Sequence, residues 1–316
     1  MATVRGDSDR ESFPMVTEKR ALSPVYWGIF FFILAQTLTF FTISRLGSFL
    51  ETNDIYIPPQ SPPEIVTWWP APGEPAWTAL GPILIYFFAV IVILGVVLFL
   101  IPVSTLRLFL RALYAFIFSW GLFIVLVLWS PLAVAIIISL AAGLVWLLSP
   151  RVWLHDLIMI VAMVSLGTVF GRIISAWTAM VLLLVLAVYD ILAVRFGYMV
   201  WMAKRLSGVV SLPAFVLPRN TSDWNSSLKK LDVLAEEKPS DREYSVLGGG
   251  DIGFALLLTS SVYFGYGFPA AVLVAGFSAA GLVGAYWIQS TLLKGKPMPA
   301  LPPIVALALI GLLIVQ

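Results

Sequence analysis

The chain has 316 residues, 60% of them hydrophobic and 11% charged, with a mean hydropathy of +0.97. Soluble domains run near roughly 45–50% apolar and 25% charged, so this is the composition of a polytopic membrane protein. The 19 Lys and Arg form no nucleic-acid stripe, the absence of cysteine removes disulfides and thiolate metal sites, and the single histidine, His155, cannot furnish a two-histidine site within one chain.

Residues 1–21 are polar and of mixed charge, without the early apolar core and small-residue cleavage site of a signal peptide, and read as a cytoplasmic tail. Residues 22–206 carry six hydrophobic runs, at 22–44, 78–101, 107–128, 131–148, 152–171 and 174–195, and residues 248–316 carry three more, at 251–267, 269–290 and 299–316. Most approach the roughly 20 residues that a helix needs to cross about 30 Å of hydrocarbon. Residues 45–77, with Glu51, Asp54, Glu64, Glu74, many prolines and Trp68, Trp69 and Trp77, read as an outer loop whose aromatics lie at the interface. The stretch "YMVWMAKRL" (198–206) is basic and amphipathic and is expected to lie along the inner surface as a short helix. The polar connection 207–247 reads as a flexible cytoplasmic loop.

Charge sets the orientation. With the N-terminus inside, only Arg45 and Arg172 of the 19 basic residues fall outside, in agreement with the positive-inside rule. The expected fold is therefore an all-α membrane protein of nine transmembrane helices, N-terminus cytoplasmic and C-terminus outside. Gly276, Ala280 and Gly284 in the eighth segment, and Gly167 and Gly171 in the fifth, are spaced for close helix packing. Gln36, Thr37 and Thr39 in the first are expected to bond across helices. His155 reads as an interfacial residue, beside Asp156 at a loop edge.

Of the 17 acidic residues, only Asp190, in "LLLVLAVYDILAV", and Asp251, after "LGGG", sit in apolar runs. A carboxylate at membrane depth costs roughly 2.5–3.5 kcal/mol on insertion scales, so its presence points to function. Asp190 lies five residues before Arg195, where the sixth helix leaves the membrane, and Asp251 opens the seventh on the same side. Both carboxylates thus occupy the cytoplasmic third of the bilayer, and meet if the two helices are neighbours. Two carboxylates in a poorly solvated place do not both ionise easily; they share a proton, giving one general base and one general acid around a water. That is the chemistry of aspartic proteases and needs no metal or cofactor. Gly248, Gly249 and Gly250 remove side-chain bulk and permit positive φ, so backbone can approach a substrate. The plainer reading makes this a loop-to-helix junction with Asp251 as the helix cap.

In "KGKPMPALPPIVALALIGLLIV" the prolines Pro297, Pro299, Pro302 and Pro303 interrupt helix, which becomes regular from about Pro303. The remainder is too short to cross the hydrocarbon alone, so "PMPALPP" is expected to dip in from the inner face, to the depth of the two aspartates. A kinked helix start is the alternative.

Together these features resemble the presenilin/signal peptide peptidase family of intramembrane aspartyl proteases, most closely its archaeal presenilin-like members, over residues 22–316. The family's Y-D motif matches Tyr189-Asp190, its G-x-G-D motif Gly248-Gly249-Gly250-Asp251, and its P-A-L motif Pro299-Ala300-Leu301. The resemblance implies that Asp190 and Asp251 are the catalytic pair. It implies that Tyr189, the three glycines and Pro299-Ala300-Leu301 shape the substrate site. It also implies cleavage of single-pass transmembrane substrates that unwind locally, in the cell membrane, by a chain needing no cofactor or nucleic acid and able to self-associate. No H-E-x-x-H occurs, which excludes the zinc protease signature. A prepilin-type peptidase also uses a G-x-G-D aspartate but lacks the proline segment. The alternative class is an ion channel or proton-coupled transporter using the paired aspartates, although no further ionisable residues continue a path across the outer half.

Overall fold

Prolines, glycines and short polar turns divide the apolar runs into nine helices among the residues that the computed structural model describes, which are 23–56, 67–74, 79–100, 102–197, 213–228, 244–293 and 298–315. They are α1 (Ser23–Thr52), α2 (Leu80–Leu100), α3 (Val103–Val127), α4 (Leu132–Leu148), α5 (Val152–Ile173), α6 (Ala176–Arg195), α7 (Gly249–Tyr266), α8 (Phe268–Thr291) and α9 (Leu301–Val315). Each of the nine expected segments holds one of them. The largest difference is at α1, which runs to Thr52 rather than 44 and so takes in the start of the expected outer loop. Six helices, α1, α2, α3, α5, α6 and α8, are long and apolar enough to cross a membrane, and α4 and α9 are shorter apolar helices. The expected tail at 1–21, the interfacial helix at 198–206, and Glu64 and Trp77 lie outside the described residues.

The turns are short and locally encoded. Ser175 caps α6, its Oγ accepting the Thr178 N–H at 3.2 Å. Gly267 ends α7 and begins α8 at φ +88°, a conformation that L side chains rarely adopt, with Pro269 in the first turn beyond it.

Helix α7 is the centre of the bundle, packed by α1, α5, α6, α8 and α9. One apolar cluster joins α6, α7, α8 and α9 through Leu183, Leu258, Val274 and Leu312; the other joins α1, α3, α4, α5 and α7 through Phe32, Phe118, Trp146, Met159 and Leu256. Gly167 and Gly171 of α5 lie against α7. A Cβ on Gly167 would stand 2.8 Å from Leu256 Cβ, and one on Gly171 would overlap Ser260 and stand 2.9 Å from the Leu257 carbonyl. Small residues here allow contact at backbone distance. The stripe Gly276, Ala280, Gly284 does not play that part. Gly276 and Gly284 have open space where a Cβ would be, and the packing glycine of α8 is Gly281, against Ile304 Cα and the Pro303 carbonyl of α9. The threonines of α1 also depart from expectation: Thr37 and Thr39 donate within their own helix, to the carbonyls of Ile33 and Ala35, and Gln36 is buried with no partner among the described residues. A threonine hydroxyl reaches the carbonyl four residues back without help from a neighbouring helix.

The fold is not purely α. Within 207–247, read from sequence as a flexible loop, Ala214–Pro218 forms β1 and pairs antiparallel with β2 (Tyr244–Gly248), in register Ala214 to Gly248 through Pro218 to Tyr244. A 3-10 turn at Thr221–Asn225 follows β1. All five residues of β1 are buried, because the strand lies under α1 and α5. Trp224 packs edge-on against Trp27 at 5.0 Å, and Phe215 meets Phe31 at 5.9 Å. Val152 N–H bonds to the Ser226 carbonyl and Leu228 N–H to that of Pro150, tying the strand pair to the α4–α5 junction.

His155 and Asp156 fix this unit and correct their placement from sequence. His155 is fully buried, not interfacial. Its Nδ1 accepts from Trp146 Nε1–H at 3.3 Å, which leaves Nε2–H to donate to the Ala214 carbonyl at 3.1 Å. Asp156 is buried, not at a loop edge, and its Oδ1 accepts the Val216 N–H at 3.0 Å. Two side chains of α5 therefore occupy the outer edge of β1. Since the Val216 N–H points away from β2, Val216 and Val246 are a non-hydrogen-bonded pair, and the backbone groups of Val246 point away from β1 as well.

Candidate active site

Helix α6 ends at Arg195, and Asp190 stands one and a half turns before that end, with Tyr189 beside it. Helix α7 begins at Gly249, so Asp251 lies in its first turn rather than at its cap; Gly248 is the N-cap, and no side chain bonds there. The backbone runs from β2 into α7 without an intervening residue, which carries Asp251 to the end of the strand. With α6 packed on α7, the two carboxylates face one cavity of about 480 Å³ and act on each other electrostatically. Both are half-buried, so each retains access to that space.

The glycines act by lacking side chains and not by unusual backbone angles, since none of Gly248, Gly249 and Gly250 has positive φ. A Cβ on Gly248 would stand 2.8 Å from Asp251 Oδ2. One on Gly249 would overlap Met159 of α5 and stand 3.1 Å from the Pro213 carbonyl, to which the Gly249 N–H donates at 2.9 Å. One on Gly250 meets only Phe254, at an ordinary 3.5 Å.

The third wall is the start of α9. Pro302 and Pro303 lie in its first turn, where a missing N–H removes no helical bond. Regular helix begins at Leu301, two residues before the expected Pro303. Leu301 is buried in the α6–α9 cluster, while Ala300 packs on the cluster around α5, so the segment is pinned between the two cores. Pro297 lies outside the described residues.

Tyr189, Asp190, Gly248, Gly250, Asp251, Pro299, Ala300 and Leu301 all line the cavity; Gly249 does not, being turned to Met159. Ser245, Val246 and Leu247 of β2 also line it, as do Tyr286 and Gln289 of α8. Sequence reasoning missed these. The strand reads as polar loop, and Tyr286 and Gln289 are three residues apart on one face of α8, a spacing that alone does not single them out. The arrangement holds two coupled carboxylates, a one-sided strand and a partly apolar chamber. It is suited to activating a water beside an extended polypeptide.

Two comparisons bear on this arrangement. The family described as "Signal-peptide peptidase, presenilin aspartyl protease" matches residues 74–316. A solved structure described as a presenilin family intramembrane aspartate protease is similar over 92% of this chain and 98% of that one, at 18% identity and a TM-score of 0.58. A second crystal form under the same description matches over 91% and 95%, at 18% identity and a TM-score of 0.55. A search of curated proteins returned no match. The chain belongs to the signal peptide peptidase and presenilin family of aspartyl proteases and is a membrane-embedded, multi-pass peptide hydrolase.

Proposed function

We propose that the protein hydrolyses peptide bonds within the transmembrane helices of single-pass substrates, with Asp190 and Asp251 as the catalytic pair. The observation that carries this reading is the meeting of two carboxylates, from two different helices, in one accessible cavity. The ionised carboxylate takes a proton from water, and the water oxygen attacks the scissile carbonyl carbon. The protonated carboxyl gives its proton to the carbonyl oxygen, forming a neutral tetrahedral diol. Return of a proton to the amide nitrogen then releases the amine as the C–N bond breaks. Tyr189, Gly248, Gly250 and Pro299-Ala300-Leu301 form the substrate site around the pair, while Gly249 faces Met159 and serves packing.

A helical peptide bond is shielded by its own helix, so the substrate must open before it is cut. The outward backbone groups of Val246 offer an opened segment a strand edge, since among the described residues β2 is paired on one side only. The proposed topology is nine spans in the cell membrane with residues 1–21 cytoplasmic and the C-terminus outside. The charge distribution supports it, since in that orientation only Arg45 and Arg172 of the 19 basic residues fall outside.

The deciding experiment is cleavage of a single-pass substrate by purified protein in liposomes, compared with Asp190→Asn and Asp251→Asn. Loss of cleavage in both, with unchanged folding, is expected. Full activity in either variant would sink the assignment, and ion flux through the same liposomes would then test the transporter alternative.

A further inference from the structure

We infer that Tyr286 of α8 supplies a hydrogen-bond donor to the substrate carbonyl as it becomes tetrahedral. The inference rests on the proposed Asp190–Asp251 centre. Tyr286 lines the same cavity as both carboxylates and lies within electrostatic reach of Asp251. Its hydroxyl is buried and has no hydrogen-bond partner among the described residues. A phenol buried without a partner is costly, and such groups are few in native structures, so one carried by a residue that lines a reaction chamber points to a partner that arrives with the substrate.

The molecule also makes room for this hydroxyl. A Cβ on Gly28 of α1 would overlap Tyr286 Oη and stand 3.0 Å from the ring carbon that bears it. Gly28 is buried, so the phenol oxygen packs directly on the backbone of α1, at a place only glycine leaves open. The two carboxylates contribute acceptors and one shared proton, which leaves the reacting carbonyl short of donors. Tyr286 provides one without changing its own protonation, stabilising charge on that oxygen while the shared proton moves.

The test is steady-state cleavage of a single-pass substrate in liposomes by the unmodified protein, Tyr286→Phe, Gly28→Ala, the double variant, and Asp251→Asn as a control for the centre itself. Tyr286→Phe is expected to lower kcat by about tenfold or more with KM nearly unchanged, because the lost bond matters in the transition state. Gly28→Ala is expected to lower kcat by displacing the hydroxyl, and to have little further effect when combined with Tyr286→Phe, where the clashing atom is gone. Full kcat in Tyr286→Phe, or a change confined to KM, overturns the inference while an inactive Asp251→Asn leaves the protease reading standing. Should Tyr286→Phe fold poorly, normal kcat in folded Gly28→Ala overturns it instead. An active Asp251→Asn would remove the centre on which the inference depends.

Discussion

The α-carbon of Gly248 stands where a Cβ would come within 2.8 Å of Asp251 Oδ2. The carboxylate therefore occupies space that only glycine at 248 leaves open. Gly248→Ala is expected to displace a flexible side chain, with little loss of stability, and to lower cleavage by about tenfold or more through misplacement of the carboxylate. Gly250→Ala, whose Cβ meets Phe254 at 3.5 Å, is expected to keep the carboxylate in place and to cost less activity. Cleavage rates and melting temperatures of the two variants, measured side by side, check this; equal activity would contradict it.

The strand pair hangs on α5. Asp156→Ala leaves the buried Val216 N–H without its acceptor, at about 1–3 kcal/mol. Asp156→Asn retains an oxygen acceptor and is expected to be milder. Limited proteolysis around 213–228 and thermal unfolding in detergent should rank the variants unmodified, Asn, Ala. If the alanine variant matches the unmodified protein in both, the bond does not anchor β1.

The edge of β2 separates substrate handling from folding. Val246→Pro removes an N–H that points away from β1 and leaves the ladder intact, so the chain is expected to fold while kcat/KM falls. Leu247→Pro removes a ladder donor opposite Phe215 and is expected to unfold the strand pair. Normal cleavage by folded Val246→Pro would show that substrate does not pair along this strand.

Two sets of helical glycines should behave oppositely. Gly171→Ala forces α5 and α7 apart at Ser260 and is expected to destabilise by roughly 1–3 kcal/mol. Gly276→Ala and Gly284→Ala meet open space and should stay within about 0.5 kcal/mol. Thermal unfolding of the three variants decides.

These contrasts mark how far the sequence could be read. Apolar length and proline punctuation are local properties, and they located all nine helices to within a few residues apart from the extended end of α1. The strand pair was hidden because β1, "AFVLP", is buried on both faces and lacks the alternation that marks a half-exposed strand. Asp156 looked like a loop-edge acid because its partner, the Val216 N–H, is distant in sequence. Gly276, Ala280 and Gly284 have the spacing of a packing face, but spacing cannot say which face meets a neighbour, and Gly281 does. At the site, Asp190, Asp251 and the proline segment were singled out because carboxylates and prolines stand out against apolar helix, and Tyr189 only through the motif it shares with the family. Tyr286 was not, although its spacing from Gln289 places both on one helix face, because neither residue type stands out there as a carboxylate does.

Because β2 ends at Gly248 and α7 starts at Gly249, strand and helix are continuous, with no loop residue between them. A substrate that pairs with the strand, as proposed, also bears on the carboxylate three residues on. In the proposed mechanism, a segment too short or too rigid to lie along β2 would leave Asp251 unaimed. The enzyme would then test a polypeptide for its willingness to straighten before testing its sequence, and would pass over the many stable helices that share its membrane.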